Sequence, residues 1–349
     1  MPGIEREFVG LGPEMGWGSH MCQGFYYRPA GSPPPKTACI AAHYNVDFSE
    51  HYLAGLMAER GFGFLGFNTR FRGLESHFLL EPALEDLALG VEWLREHGAE
   101  TIVLLGNSGG GSLLAAYQAS RGDGDLYLSV AAHPGRPDVL TNWLDASALD
   151  EFDPLATDPA LDMYDEANGP PYSEEFLTRY REGQRARNRR ITAWAQAELE
   201  RVREAGFYDR VFTLQRTWAD PRMVDPEIDP SDRPTPACYA GEPARANRGV
   251  LGIGVANTLR TWLDMWSLEH SKVRGERLLG AIQVPALVVQ ATMDTGVFPS
   301  DARQIHDGLA SADKALVELP GDHYFRSPEG ARETLADTLA GWVADRAAH

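Results

Sequence analysis

The chain has 349 residues, 43% of them apolar and 23% charged, a globular balance that leaves material for a buried core and excludes a disordered or fibrous chain. With 50 acidic and 32 basic residues the formal net charge is −18, which argues against general nucleic-acid binding and against attraction to anionic membrane surfaces. The length suits two domains of ~150 residues or one enlarged domain.

Residues 1–10 (MPGIEREFVG) lack a basic n-region and an apolar h-region, so no signal peptide is expected. No run approaches the ~18 apolar residues of a membrane span, and the default expectation is a soluble cytoplasmic protein. Residues 22–28 and 37–42 read as strands, 50–60 as a helix and 63–68 (GFLGFN) as a strand. In 82–97, Leu84, Leu87, Val91 and Leu94 recur at helical spacing, and Pro82 suits the first turn. Residues 101–105 (TIVLL) form the continuous apolar strand typical of burial on both faces. A glycine-rich turn leads to a helix over 112–120, then a strand over 126–132. This alternation predicts a parallel sheet covered by helices on both faces.

Between 133 and 280 the rhythm breaks. Residues 138–171 and 220–236 are rich in Pro and Asp, and 174–205 reads as one long helix. That helix carries Arg179, Arg181, Arg185, Arg187, Arg189 and Arg190 among acidic neighbours Glu174, Glu175 and Glu182, a pattern that reads as a solvated face. Trp143, Trp194, Trp218, Trp262 and Trp266 all fall in this region. Most are expected to fill its core and some to line an apolar or aromatic pocket for a small-molecule substrate. The apolar segment 250–268 is a candidate surface for a homo-oligomer. The strand pattern then resumes, with strands over 286–291 (ALVVQA) and 315–319 and helices over 300–310 and 328–344. A large insertion inside one α/β domain fits this order better than two domains in tandem. Cys22, Cys39 and Cys238 have neither the even count nor the close spacing of a disulfide or metal framework, and Cys39 reads as a small buried hydrophobe.

The segment Gly106-Asn107-Ser108-Gly109-Gly110 fits G-x-S-x-G between a strand and a helix, the context that motif requires. A nucleophile on so tight a turn sits in a strained backbone, and the residues two before and two after must lack bulk. A serine hydroxyl also needs a base, and the base an orienting carboxylate. Asp294 stands at a strand end and His323 in the late loop Gly321-Asp322-His323-Tyr324, giving the order serine, acid, histidine. Asp322 is a rival acid, disfavoured because a carboxylate adjacent in sequence tends to point away from the imidazole. Gly109-Gly110-Gly111 lacks the Lys-Ser/Thr of a phosphate loop. No metal-ligand cluster or cofactor signature appears.

On the elbow GNSGG, the strand-end Asp294 and the late-loop GDHYF, the chain resembles the α/β-hydrolase superfamily. The resemblance covers 1–133 and 281–349 and implies an eight-stranded, mostly parallel sheet with a mainly helical cap inserted after the sixth strand, here 134–280. It implies a catalytic set of Ser108, Asp294 and His323 with an oxyanion hole from Gly109 and the loop 42–47 (AHYNVD). His43 matches the family's His-Gly there, but Tyr44 replaces the glycine. The second donor is therefore the backbone N–H of Tyr44 or Asn45, and each donor is worth roughly 3–4 kcal/mol of barrier. His43, Arg70 and Arg72 are secondary candidates for substrate contact, each with the plainer reading of a loop-fixing residue. The implied activity is hydrolysis of a carboxylic ester without a cofactor. The same triad also serves thioester, lactone, amide or diketone C–C cleavage and acyl transfer, and some family members are non-catalytic receptors.

Overall fold

The computed structural model of the protein describes residues 3–16 and 18–347. Strands β1 (Ile4–Glu14), β2 (His20–Pro29), β3 (Thr37–Ala42), β4 (Gly63–Asn68), β5 (Thr101–Ser108) and β6 (Leu126–Ala132) join the strands Ala286–Ala291 and Lys314–Leu319 in one eight-stranded sheet. Its order is β1-β2-β4-β3-β5-β6, then Ala286–Ala291, then Lys314–Leu319. Pairing is antiparallel between β1 and β2 and between β2 and β4, and parallel in the remaining pairs.

Every residue of β4, β5, β6 and Ala286–Ala291 is buried, as their unbroken apolar runs require. Successive side chains leave a strand on opposite faces. Cys39, Val103, Leu105, Leu128, Val130 and Val289 thus share one core with helix α1 (Ala54–Glu59) and with Leu335, Leu339 and Val343 of the helix Ala331–Ala344. Ile40 and Phe67 point the other way, towards Gly90 of helix α2 (Leu80–Glu96), where a Cβ would sit 2.8 Å from Ile40 Cδ1. Helix α3 (Gly110–Arg121) follows β5 directly.

Strand β1 was not foreseen from sequence. It is an edge strand in which Val9 alone is buried, so its residues carry no apolar run. Glu5, Arg6 and Glu7 and a register shift between Leu11 and Glu14 give it the charged, irregular edge that resists pairing with another chain.

The chain divides into two compact units. One runs up to Leu74 and includes Leu80–Pro134 and everything from Gly275; it contains the sheet. The other comprises Glu75–Leu79 and Gly135–Arg274. The sequence divides the chain at 133/134 and 280/281, whereas the compact units place 75–79 with the second unit and Pro134 and 275–280 with the first. Glu75 goes with the second unit because its carboxylate accepts from the buried Arg136 at 2.6 Å.

The second unit is built on helix α4 (Arg136–Trp143) and helix α5 (Glu174–Glu204), with a short antiparallel pair, Val211–Thr213 and Ala256–Thr258. Ser173 caps α5 by accepting from the Phe176 N–H at 3.1 Å, and Glu174, Glu175, Arg201 and Arg203 complement its dipole at the two ends. The helix buries Phe176, Tyr180, Gln184, Arg187, Ile191, Ala195, Leu199 and Val202, one stripe at three- and four-residue spacing. Trp143, Trp262 and Trp266 are fully buried, and Trp143 stacks on Trp218 at 4.8 Å, so these rings form core. In 250–268, Val250 and Leu251 are exposed, whereas Leu259, Trp262, Met265 and Trp266 turn inward. Among the described residues no helix is long and apolar enough to cross a membrane.

The arginine-rich face of α5 is only partly solvated. Arg179, Arg185, Arg189 and Arg190 are exposed, but Arg187 is buried. Its guanidinium donates to Glu151 at 2.9 and 2.6 Å and to the backbone carbonyls of Asp145, Gln215 and Arg216. Arg187→Met would leave the partly buried Glu151 carboxylate with only the exposed Arg190 and deprive three backbone carbonyls of their donor. The expected cost is about 3–5 kcal/mol of unfolding free energy, read from the urea midpoint.

Candidate active site

Ser108 ends β5 with φ 57°, a conformation that strains a residue bearing a Cβ. The turn closes because its neighbours are bare. A Cβ on Gly106 would lie 2.4 Å from Gly111 Cα, one on Gly110 2.3 Å from the Ala42 carbonyl oxygen, and one on Gly111 2.5 Å from Ala132 Cβ. Gly106 and Gly110 meet the spacing requirement read from the motif. Gly111 adds a contact with β6 that explains a third glycine without a phosphate.

Asn107 is braced from two sides. Its amide donates to the Val130 carbonyl at 2.8 Å, and its carbonyl oxygen faces His51 Nε2 at 3.2 Å. His51 Nδ1 accepts from the Leu53 N–H at 3.3 Å, so the proton sits on Nε2 and donates to Asn107. His51 lies among Phe48, Tyr52 and Phe64, and no signal in the motif itself pointed to it.

His323 Nε2 meets Ser108 Oγ at 2.9 Å, and His323 Nδ1 meets Asp294 Oδ2 at 2.6 Å. With a carboxylate on Nδ1, that nitrogen carries the proton and Nε2 accepts from the serine hydroxyl. Asp294 Oδ1 accepts the Gly296 and Val297 N–H groups at 2.9 and 3.0 Å, which fixes the carboxylate plane. Asp322, the rival acid, instead accepts the Tyr324 and Arg326 N–H groups and pairs with the Arg326 side chain. Asp294 is 1% exposed, but Ser108 and His323 each keep 7%, so the hydroxyl and the imidazole are not sealed inside the core.

Gly109 immediately precedes α3, where helix N–H groups have no intrahelical acceptor. The loop after β3 is pinned to the same helix start. Ser112 Oγ donates to the Gly109 carbonyl at 3.2 Å and takes the Tyr44 hydroxyl at 3.0 Å. His43 Nδ1 lies 3.0 Å from Asn45 Oδ1 and 3.4 and 3.3 Å from the N–H groups of Asn45 and Val46, contacts that fold the loop back on itself.

No family model and no curated protein matches the sequence. Solved structures do match. DcsB in complex with its substrate analogue aligns at TM-score 0.58 and 13% identity over 99% of this chain and 100% of that one. The α/β hydrolase GrgF from Penicillium sp. sh18 aligns at 0.55 and 13% over 98% and 99%. The monoacylglycerol lipase of Paleococcus ferrophilus aligns at 0.51 and 16% over 99% and 100%. The chain has the α/β-hydrolase fold.

Not every residue singled out from the sequence reaches Ser108, His323 or Asp294. The Arg70 guanidinium and N–H hold Asp86, fully buried on α2, at 2.6 to 3.1 Å. Arg72 reaches Asp47 at 3.4 Å on the surface. Both sit where loop-fixing arginines belong. The three cysteines are buried and free, and burial pushes the Cys39 thiol up to about 12. Among the described residues there is no group of three or more His, Cys, Asp and Glu able to hold a metal ion.

Burial pushes His51 down to about 4 from 6.5, although its bond to Asn107 works the other way. The unfolded chain therefore takes up this proton first. The stability His51 lends as a neutral ring is full above pH 6.5 and is lost as pH falls from 6.5 to 4. The loss is on the order of 3 kcal/mol. Urea titrations across that window should show a flatter profile for His51→Gln than for the parent.

Proposed function

We propose that the chain is a serine hydrolase of carboxylic esters. Ser108 attacks the carbonyl carbon, and His323 Nε2 takes the serine proton. Asp294 holds the imidazole tautomer and stabilises the imidazolium. The C=O pair moves to the oxygen, which the Gly109 N–H and the backbone of the loop after β3 receive. Asn45's N–H is turned onto His43 Nδ1, which favours Tyr44 as the second donor. His323 returns the proton to the departing alkoxide, and water then repeats the sequence on the acyl-enzyme.

One observation carries this reading: the unbroken chain from Ser108 through His323 to Asp294 at 2.9 and 2.6 Å, on a strained serine. A binding protein on this fold would have no use for an imidazole held between hydroxyl and carboxylate. The fold's likeness to a monoacylglycerol lipase agrees with an ester substrate. A serine nucleophile excludes chemistry that runs through an aspartyl ester. The second unit acts as the cap that selects a small-molecule substrate with an apolar or aromatic part.

Ser108→Ala should lower kcat on a p-nitrophenyl ester by about 10⁴- to 10⁶-fold while leaving the thermal midpoint near the parent's. It should also abolish labelling by a fluorophosphonate probe. Turnover within tenfold of the parent would remove Ser108 as the nucleophile.

A further inference from the structure

Two side chains beside the elbow form one buried relay. Tyr44, in the loop after β3, is fully buried, and Ser112, in the first turn of α3, is 1% exposed. Their hydroxyl oxygens lie 3.0 Å apart, and Ser112 Oγ lies 3.2 Å from the Gly109 carbonyl oxygen. A serine hydroxyl has a single hydrogen to give, and a carbonyl can only accept. That hydrogen goes to Gly109, so the Tyr44 hydroxyl donates to Ser112. The relay therefore runs one way, from Tyr44 through Ser112 to Gly109.

It joins two elements that already touch. A Cβ on Gly110 would meet the Ala42 carbonyl oxygen at 2.3 Å, so the end of β3 rests on the first turn of α3. Tyr44 follows that contact in the chain. A glycine at 44 could not make the bond. Tyr44 is not among the residues at positive φ, so a side chain is carried there without strain.

The start of α3 has no side-chain cap, because its N-cap residue is Gly109. A capping oxygen would accept the N–H groups that make a helix start attractive to an anion. The relay instead grips the turn by the Gly109 carbonyl and takes none of those N–H groups. We propose that the Tyr44 and Ser112 hydroxyls are positioning groups for the oxyanion hole, fixing the spacing between the Gly109 N–H and the backbone donor of the loop after β3. This inference rests on the serine-hydrolase reading. Neither hydroxyl touches the substrate. Each acts through the backbone, so its effect appears where charge gathers on the substrate's carbonyl oxygen, in acylation and again in deacylation. Donors held in place beforehand need no reorganisation when that charge develops.

Tyr44→Phe keeps the ring against His43 and removes only the hydroxyl. Ser112→Ala removes the other half of the relay. Both are measured in the full chain on a p-nitrophenyl ester and on its thiono counterpart, whose C=S sulfur accepts hydrogen bonds poorly. In each variant kcat/KM on the oxo ester should fall about tenfold to fiftyfold, short of the hundredfold or more lost with a whole donor. The fall should lie in kcat, with KM within about threefold of the parent's. The thiono ester, which draws little from the hole, should lose no more than about threefold. The double variant should stay within about threefold of the slower single, because the two hydroxyls act as one unit. Tyr127→Phe removes a buried hydroxyl that donates to the Gly111 carbonyl on the same helix start at 3.0 Å, and should keep the parent's oxo-to-thiono ratio. That ratio is independent of how much of a variant is folded, since both esters meet the same active fraction. A parental ratio in both single variants overturns the proposal and leaves the hydrolase reading standing. A ratio that falls as far in Tyr127→Phe also overturns it, since the cause would be a loosened helix start. Fully additive losses in the double variant overturn it too, because the hydroxyls would then act apart. A parent chain that a fluorophosphonate does not label overturns the hydrolase reading and the proposal together.

Discussion

A serine held at φ 57° is the constraint on which the rest of the first unit depends. Such a backbone costs of order 1–3 kcal/mol and survives only where its surroundings over-determine it. Here they do. Ala42 of β3, Gly111 of α3 and Ala132 of β6 crowd the turn so closely that each adjacent glycine is required. Asn107 is tied across to β6 and to His51. The strain sets the Oγ at the strand end, where the imidazole from a loop 215 residues away can find it. Misplacing any of these elements would unseat the hydroxyl before it touched the histidine.

Much of this was legible in the sequence for a simple reason. The central strands are buried on both faces, so each writes itself as an apolar run, and the elbow writes itself as glycine. Ser108, Asp294 and His323 could be singled out from their places after strands. What escaped has an equally physical cause. Edge strand β1 exposes most of its residues and carries no run. His51 and Asn107 are 56 positions apart, and nothing local links them. Asp86 was the one legible clue to the fate of Arg70, a carboxylate on the apolar stripe of α2 that needed a cation.

The acidic chain also spends its arginines inside itself. Arg136 meets Glu75, Arg187 meets Glu151, Arg216 meets Asp145, and Arg181 and Arg222 share Asp220. All five pairs lie in the second unit. Burial works against the Asp220 charge, yet the two guanidinium groups hold its carboxyl well below the usual range. A planar fork that can bind a carboxylate and backbone carbonyls together suits these sites better than a lysine's point charge. The second unit is thus organised by buried polar geometry as much as by its tryptophans.

The seventh strand of the sheet pairs with β6 even though the whole stretch Gly135–Arg274 is spliced between them. Chain closure grows only with the logarithm of loop length. A crossover of about 150 residues therefore burdens the pairing by only about 2 kcal/mol more than one of about 15. The inserted stretch could accordingly lengthen or shorten at little cost while the side chains gathered at the strand ends kept their places.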